Sequence, residues 1–256
     1  DMPALLVKAG FAKSKSEGRQ AILQGGVTLD GEKVTDVRAL YSAADFTEGK
    51  LLRLTQQYFL VSASVQSIIR DHMAVYGTID NLPDKVAIHI NDTHPALAIP
   101  ELMRLLLDEE HLSWDAAWDI VTRTFNYTNH TVMSEALERW PQNLIETLLP
   151  RVWTIIQEIS ARYQRELENR YPGDTGKVAY MAIIWDGEVR MANLCVAACQ
   201  AVNGVSALHS DILKRDVFHD AYLQTPEKFT NVTNGIDHRR WLAQVNPKLD
   251  SLIQEV

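Results

Sequence analysis

Val86-Ala87-Ile88-His89-Ile90, followed by Asn91-Asp92-Thr93-His94-Pro95, is the stretch whose reading decides the fold. The first five residues are β-branched and apolar, a run short enough for a strand buried on both faces of a sheet. The next five are turn- and cap-forming side chains, and a Leu- and Met-rich helix follows, broken or restarted at Pro100. Strand, polar loop, helix is the junction at which open α/β sheets place ligands, because strand ends and helix N-termini present free N–H groups there. A plainer reading stands beside it: Asp92 or Thr93 caps the helix and Pro95 occupies its first turn.

Outward from this junction the chain is helix-dominated α/β. From Leu54, apolar positions at Tyr58, Val61, Val65, Ile68 and Ile69 trace one helical face, and residues 77–83 form a loop. Ser113 caps a helix bearing Trp114, Ala117, Trp118 and Val121, and Phe125-Asn126-Tyr127-Thr128 reads as a second strand. A helix carrying Glu135 and Glu138 ends near Trp140-Pro141. A long amphipathic helix bears Val152, Ile155, Ile156, Ile159, Tyr163 and Leu167. Residues 191–208 read as a buried helix interrupted at Asn203-Gly204, residues 229–236 as polar and β-prone, and Arg239-Arg240-Trp241 as the start of a last helical piece.

Composition bounds the function. The 46% hydrophobic content suits a globular core, and no apolar run approaches the ~20 residues of a membrane span. The net charge of −8 argues against nucleic acid as partner of the whole chain. Cys195 and Cys199 sit four apart in an apolar stretch and read as buried thiols rather than metal ligands; His89 and His94 lack a third ligand, so zinc is not expected. Asn-x-Thr sequons stand at Asn91, Asn126, Asn129 and Asn231, three of them in stretches expected to be inside, which together with the free thiols favours a reducing, cytoplasmic setting. No glycine-rich phosphate loop, dinucleotide fingerprint or serine elbow is present. Instead, polar loops recur after apolar segments, at residues 91–94, 129–131, 203–204 and 233–235. Brought together they would offer many neutral donors and acceptors and few charges, a lining that suits a polyhydroxylated ligand such as a sugar.

The first forty residues read as a separate module. Residues 4–9 form a short helix stopped by Gly10, Ser14-Lys15-Ser16-Glu17 is a capping box opening a helix through Leu23, and Gly25-Gly26 ends it. Residues 27–34 are a hairpin around Asp30-Gly31. Order and spacing across residues 4–36 resemble the small RNA-binding domain at the C-terminus of bacterial tyrosyl-tRNA synthetases. That resemblance implies a small α+β module, residues 1–48, gripping structured RNA through Lys13, Lys15 and Arg19. No aminoacylating domain accompanies it.

From about residue 49 a second resemblance runs in register to Val256. Leu54-Thr55-Gln56-Gln57-Tyr58-Phe59, Asn91-Asp92-Thr93-His94-Pro95, Tyr127-Thr128-Asn129-His130-Thr131-Val132, Ala201-Val202-Asn203-Gly204-Val205, His209-Ser210-Asp211-Ile212 and Thr233-Asn234-Gly235 are similar to glycogen and maltodextrin phosphorylases. The resemblance implies that residues 49–256 form part of a Rossmann-like, GT-B type glycosyltransferase half. It places His130 and Asn234 on the glucosyl unit with Asn203 and Val205 beside them, Asp92 and His94 on the acceptor-sugar side, and Glu138 and Trp140 as shaping residues. Family enzymes pass a terminal glucosyl unit of an α-1,4-glucan to orthophosphate, with pyridoxal phosphate as proton relay, and are homodimers. The departures imply limits. The Schiff-base lysine in its Gly-Asn-Met-Lys context is found nowhere in the chain, and the glycine-rich sugar loop is missing. Ser42-Ala43-Ala44-Asp45 stands for a Pro-Asn-Asp loop, Arg70-Asp71 for an arginine pair that binds an allosteric nucleotide, and Asp237-His238 for Thr-Pro. The expectation is a glucosyl-binding wall, inactive alone and without bound cofactor. An RNA-binding module fused to a non-catalytic segment, or an artificial join near residues 48–53, stands as the alternative.

Overall fold

The computed structural model describes residues 2–29, 32–34 and 47–255, which fall into two compact units, Asp1–Ala63 and Ser64–Val256.

In the first unit, α1 (Met2–Lys8) and α2 (Lys15–Leu23) precede a two-stranded antiparallel pair, β1 (Thr28–Leu29) and β2 (Glu32–Lys33). Ser14 adopts the extended conformation a cap needs, and its hydroxyl accepts the Glu17 N–H at 3.2 Å. The Glu17 carboxylate reaches back one residue further than a capping box requires, accepting the Lys13 N–H at 2.7 Å. Gly25, at φ +71°, turns the chain out of α2 in a conformation that L side chains avoid. Met2, Ile22, Val27 and Val34 form a small core with Leu6 and Ala21 against it. Lys13, Lys15 and Arg19 are exposed. The Asp30-Gly31 turn and residues 42–45 lie outside the described residues. Helix α3 (Thr47–Tyr76) opens within this unit and ends in the second.

The second unit begins, after α3, with α4 (Leu82–Lys85), and its core is a parallel sheet. β3 (Ile88–Asn91) leads to α5 (Ala98–Asp108) and α6 (Trp114–Thr124), which feeds β4 (Phe125–Thr128). β5 (Arg139–Pro141), α7 (Gln142–Leu148), α8 (Pro150–Arg170), α9 (Thr175–Met181), β6 (Ile184–Trp185) and β7 (Glu188–Arg190) intervene before α10 (Met191–Ala198) and β8 (Ala201–Gly204). α11 (Ala207–Ile212), α12 (His219–Gln224), β9 (Phe229–Asn231) and α13 (Pro247–Gln254) complete it. The parallel sheet has the order β3-β4-β8-β9; β5, β7 and β6 form a separate antiparallel sheet. Register aligns Ile90, Tyr127, Val202 and Phe229 in one row across the four parallel strands, and all four are buried. The adjacent row, on the opposite face, is Asn91, Thr128, Asn203 and Thr230. α5 buries nearly all its residues, Glu101 included; Arg104 holds that carboxylate with two bonds of 2.9 Å, compensating a charge that burial alone would make costly.

Several expectations are corrected. β3 is buried on one face only: Ile90 is 1% exposed while His89 and Asn91 are exposed, giving the alternation of a half-covered strand. Neither Asp92 nor Thr93 caps α5; residues 93–97 are turns, the cap position is Leu97, and Pro100 sits unbroken in the first turn, where its missing N–H costs no bond. A short helix, α4, occupies part of the expected 77–83 loop, with Pro83 in its first turn. Glu138 and Trp140 are not on a helix: a 3₁₀ turn at Ser134–Ala136 passes into β5, where Trp140 pairs with Val189. Residues 191–208 are not one interrupted helix but α10, the central strand β8 and the start of α11. A short apolar run of this kind reads equally well as helix or strand. Of the sequons, only Asn129 is buried; Asn91 and Asn231 are exposed.

Gly204 is required by contact rather than by φ: a Cβ there would stand 2.6 Å from Ser210 Oγ and 2.8 Å from Ser210 N. Gly77, at φ +69°, has nothing within 4 Å of its absent Cβ. Gly204→Ala is expected to destabilise the chain by about 1–3 kcal/mol through overpacking against α11. Gly77→Ala should cost only about 1 kcal/mol of backbone strain. Urea melts of the two variants check the order, and a smaller loss for Gly204→Ala would contradict the packing.

Candidate functional site

Because the four strands of the parallel sheet run the same way, the loops that follow them all leave at one edge. Those loops carry Asp92–His94, Asn129–Thr131, Val205 and Thr233–Asn234, the segments singled out by their composition.

Hydrogen bonds stitch them in sequence. The Asp92 N–H donates to Thr128 O at 2.8 Å and the Asn129 N–H to Asn203 O at 3.0 Å. The Asn234 N–H donates to Val205 O at 2.9 Å, so the ladder continues past the strand ends. His130 Nε2 donates to Asn91 Oδ1 at 2.6 Å. The Thr131 hydroxyl donates to Asp92 Oδ2 at 3.2 Å. Thr93 donates to Glu138 Oε2 at 2.8 Å, which ties the 132–139 loop to the same edge. Asp92 sits at φ +56°, a left-handed conformation that aspartate tolerates better than most residues. Asn203 is 6% exposed and its Oδ1 accepts from Thr128 Oγ1 at 2.7 Å and His89 Nε2 at 3.2 Å. His130, His94 and Asn234 are exposed, Asp92 and Val205 half-buried. The edge therefore brings together His130, Asn203, Val205, Asn234, Asp92, His94 and Glu138; Trp140 is instead 4% exposed in the antiparallel sheet.

His209 is the residue the sequence reading quoted without assigning it a task. Its Nδ1 accepts the Val205 N–H at 3.1 Å, which leaves the proton on Nε2 to donate to Asn129 Oδ1, also at 3.1 Å. Asn129, fully buried, accepts in addition the Thr131 N–H at 2.9 Å and donates to the Tyr127 hydroxyl at 2.9 Å. One imidazole thus pins the loop after β8 to the loop after β4. Ser210, next in chain, donates to Asn231 Oδ1 at 2.8 Å and fixes the loop after β9. Burial, with a smaller contribution from His130, holds the His209 pKa below the usual histidine range. Burial likewise raises the Tyr127 phenol well above its ordinary value.

Lys228 is not placed to carry pyridoxal phosphate. Burial lowers the pKa of Lys228, but its amine donates to Val196 O at 3.2 Å and Ala197 O at 3.3 Å, where it closes the end of α10 rather than awaiting an aldehyde. Among the described residues no group of three His, Cys, Asp or Glu side chains is placed to hold a metal ion. Chemically the edge is a hydrogen-bonding wall of amides, imidazoles and hydroxyls, with the carboxylates of Asp92 and Glu138 accepting from Thr131 and Thr93.

With His209 neutral in the fold, the unfolded chain takes up its proton more readily. Its contribution is complete above the ordinary histidine pKa of about 6.5 and is lost as pH falls below it. The protection factors of the Val205 and Thr131 amides, referred to the intrinsic exchange rate at each pH, should therefore fall between pH 7 and pH 5. His209→Ala should destabilise by about 1–3 kcal/mol at pH 7 by orphaning the Val205 N–H and Asn129 Oδ1. Amide protection unchanged by either would dismiss the latch.

Comparison with known proteins agrees with this architecture. Residues 25–256 match the carbohydrate phosphorylase family, and residues 3–45 match the S4 domain. The chain is 50% identical over 233 residues to the glycogen phosphorylase of Bacillus subtilis (strain 168), covering 90% of this chain and 29% of that protein. It is 51% identical over 229 residues to the muscle form of glycogen phosphorylase from Homo sapiens, covering 85% of this chain and 27% of that protein. The chain thus spans under a third of the length of these relatives. No helix among the described residues is long and apolar enough to cross a membrane. With a helix-rich α/β unit built on a parallel sheet and an S4 domain ahead of it, the chain belongs to the carbohydrate phosphorylase family.

Proposed function

We propose that the second unit is the glucosyl-binding wall of an α-glucan phosphorylase site, and that this chain by itself binds glucan weakly without phosphorolysis. The observation that carries the reading is the convergence of His130, Asn203, Val205 and Asn234 on one sheet edge, stitched by bonds running from Asn91 to His130, Asn129 to Asn203 and Val205 to Asn234. His130 and Asn234 hydrogen-bond the glucosyl hydroxyls, Asn203 and Val205 define the floor, Asp92 and His94 meet the acceptor sugar, and Glu138 shapes the wall through Thr93. Such neutral partners orient a polyol without drawing in ions. Turnover in this family would need glucan, phosphate and pyridoxal phosphate in one closed cleft, and the chain has no Gly-Asn-Met-Lys lysine to carry that cofactor. The S4 match favours a second activity, weak binding of structured RNA by residues 1–48 through Lys13, Lys15 and Arg19, whose exposed side chains project from α2 and the turn before it. Residues 49–256 then form the phosphorylase domain of a cytoplasmic protein.

Maltoheptaose should bind the wild type in the millimolar range by calorimetry, and His130→Ala or Asn234→Ala should weaken it by about tenfold, the worth of one lost hydrogen bond. Glucose 1-phosphate formed from glycogen and phosphate, with pyridoxal phosphate supplied, would overturn the claim of inactivity. Affinity for tRNA should fall steeply with salt, and the triple change of Lys13, Lys15 and Arg19 to Gln should lower the slope by about two to three. Salt-independent binding would remove the RNA reading.

A further inference from the structure

Away from the parallel-sheet edge, the antiparallel sheet contains an arrangement that neither the glucosyl wall nor the fold requires. Arg139 on β5 and Arg190 on β7 are direct cross-strand partners. Like charges placed opposite one another on one face destabilise a sheet unless something between them supplies the opposite charge. Both side chains line a cavity of about 530 Å³, together with Ser134, Tyr180 and Asn193. That volume lies within the range of small-ligand sites.

The two arginines differ in what neutralises them. Arg139 keeps an ion pair with Glu188 at 3.4 Å, with both side chains about two-fifths exposed. Arg190 has no carboxylate bonded to it among the described residues: one terminal nitrogen donates to Ala179 O at 2.6 Å and Tyr180 O at 3.3 Å. Its Nε is buried without an acceptor. Arg190 is also the residue before α10, a helix with no acidic residue in its first turn, so the helix end adds to the local positive field. Asp216 lines the cavity too, but its carboxylate is held by Arg215 at 2.7 Å; Glu138 is occupied by Thr93. Desolvation and then the Arg139 charge lower the Arg190 pKa, while the carboxylates of Glu188 and Asp186 oppose that shift without bonding to Arg190.

We propose that this cavity binds a phosphate group, as orthophosphate or a small phosphomonoester, between Arg139 and Arg190. A dianion offsets two guanidiniums at once, and its tetrahedral oxygens accept from their N–H groups and from the Ser134 hydroxyl once it turns from Glu135 Oε2, to which it donates at 3.3 Å. The cavity shares Glu138 and the 132–139 loop with the glucosyl wall but includes neither His130 nor Asn234, and the proposal does not rest on glucan binding.

The test is calorimetry and thermal melting of the full chain at low ionic strength with inorganic phosphate, glycerol 3-phosphate and, as the uncharged control, glycerol. Phosphate or glycerol 3-phosphate should bind and raise the melting temperature, and Arg190→Gln should weaken binding by about tenfold or more, the loss of one charge-assisted contact. Arg139→Gln, at an exposed position, should weaken binding likewise and carries the test if Arg190→Gln fails to fold. Asn234→Ala should bind phosphate as the wild type does, which separates this cavity from the glucosyl wall. Equal binding of both anions assigns the site to the phosphate group alone; tighter glycerol 3-phosphate assigns it to a monoester; either upholds the proposal. No binding by the folded wild type, undiminished binding by both arginine variants, or glycerol binding as well as the anions would overturn it.

Discussion

The second unit depends on the register of four parallel strands. Pairing Ile90 with Tyr127, Tyr127 with Val202 and Val202 with Phe229 puts an unbroken apolar row on the buried face. Side chains alternate along a strand, so that choice also settles the neighbouring row, Asn91, Thr128, Asn203 and Thr230, on the other face. A slip of one residue that brought Asn91, Thr128, Asn203 or Thr230 into the row would bury an amide or hydroxyl where an aromatic or aliphatic side chain now stands. Hydrophobic burial thus pays for the alignment of groups that contribute little to stability themselves.

The same register explains why the polar loops meet. Strands paired residue for residue end at the same height, and the backbone ladder runs on through Asp92, Asn129 and Asn234 before the chains diverge. Beyond that point, side chains take over from backbone. His209 holds two loops with two nitrogens, and this works only while one of them stays unprotonated. Gly204 lets α11 come close enough to bring His209 and Ser210 there at all.

Much of this was legible from residue types. β4 matches its expected bounds, and α8 has the amphipathic face expected of it, because each is bounded by strong signals: Ser113 and Asn129 around one, Pro172-Gly173 beyond the other. The polar loops were visible as composition, though not their connections. β8 was hidden because four residues, Ala201–Gly204, lie between apolar helical stretches with no Pro before them. β6 and β7 were missed although Asp186-Gly187 marks their turn, with both residues at positive φ, because the flanking strands are two and three residues long. His209 left no signal of its own. A histidine four residues past a loop gains its meaning only from what the fold sets opposite it.

The chemistry of the two sheets differs in a way that follows from their pairing. At the parallel-sheet edge, amides and imidazoles satisfy one another, as Asn129 does with three partners, so the wall is held in shape before any ligand arrives. Preorganised neutral groups of this kind select by direction and lose little entropy on binding. In the antiparallel sheet the groups opposite one another are both cations; Glu188 pairs with Arg139, while Arg190, among the described residues, bonds only to carbonyls and keeps a buried Nε without an acceptor. A surface of satisfied groups recognises a ligand by shape and hydroxyl geometry; a surface left with unbalanced charge recognises one by its charge. The two proposed ligands, a polyol and a phosphate group, accordingly fall to different sheets, for reasons already present in which residues face each other.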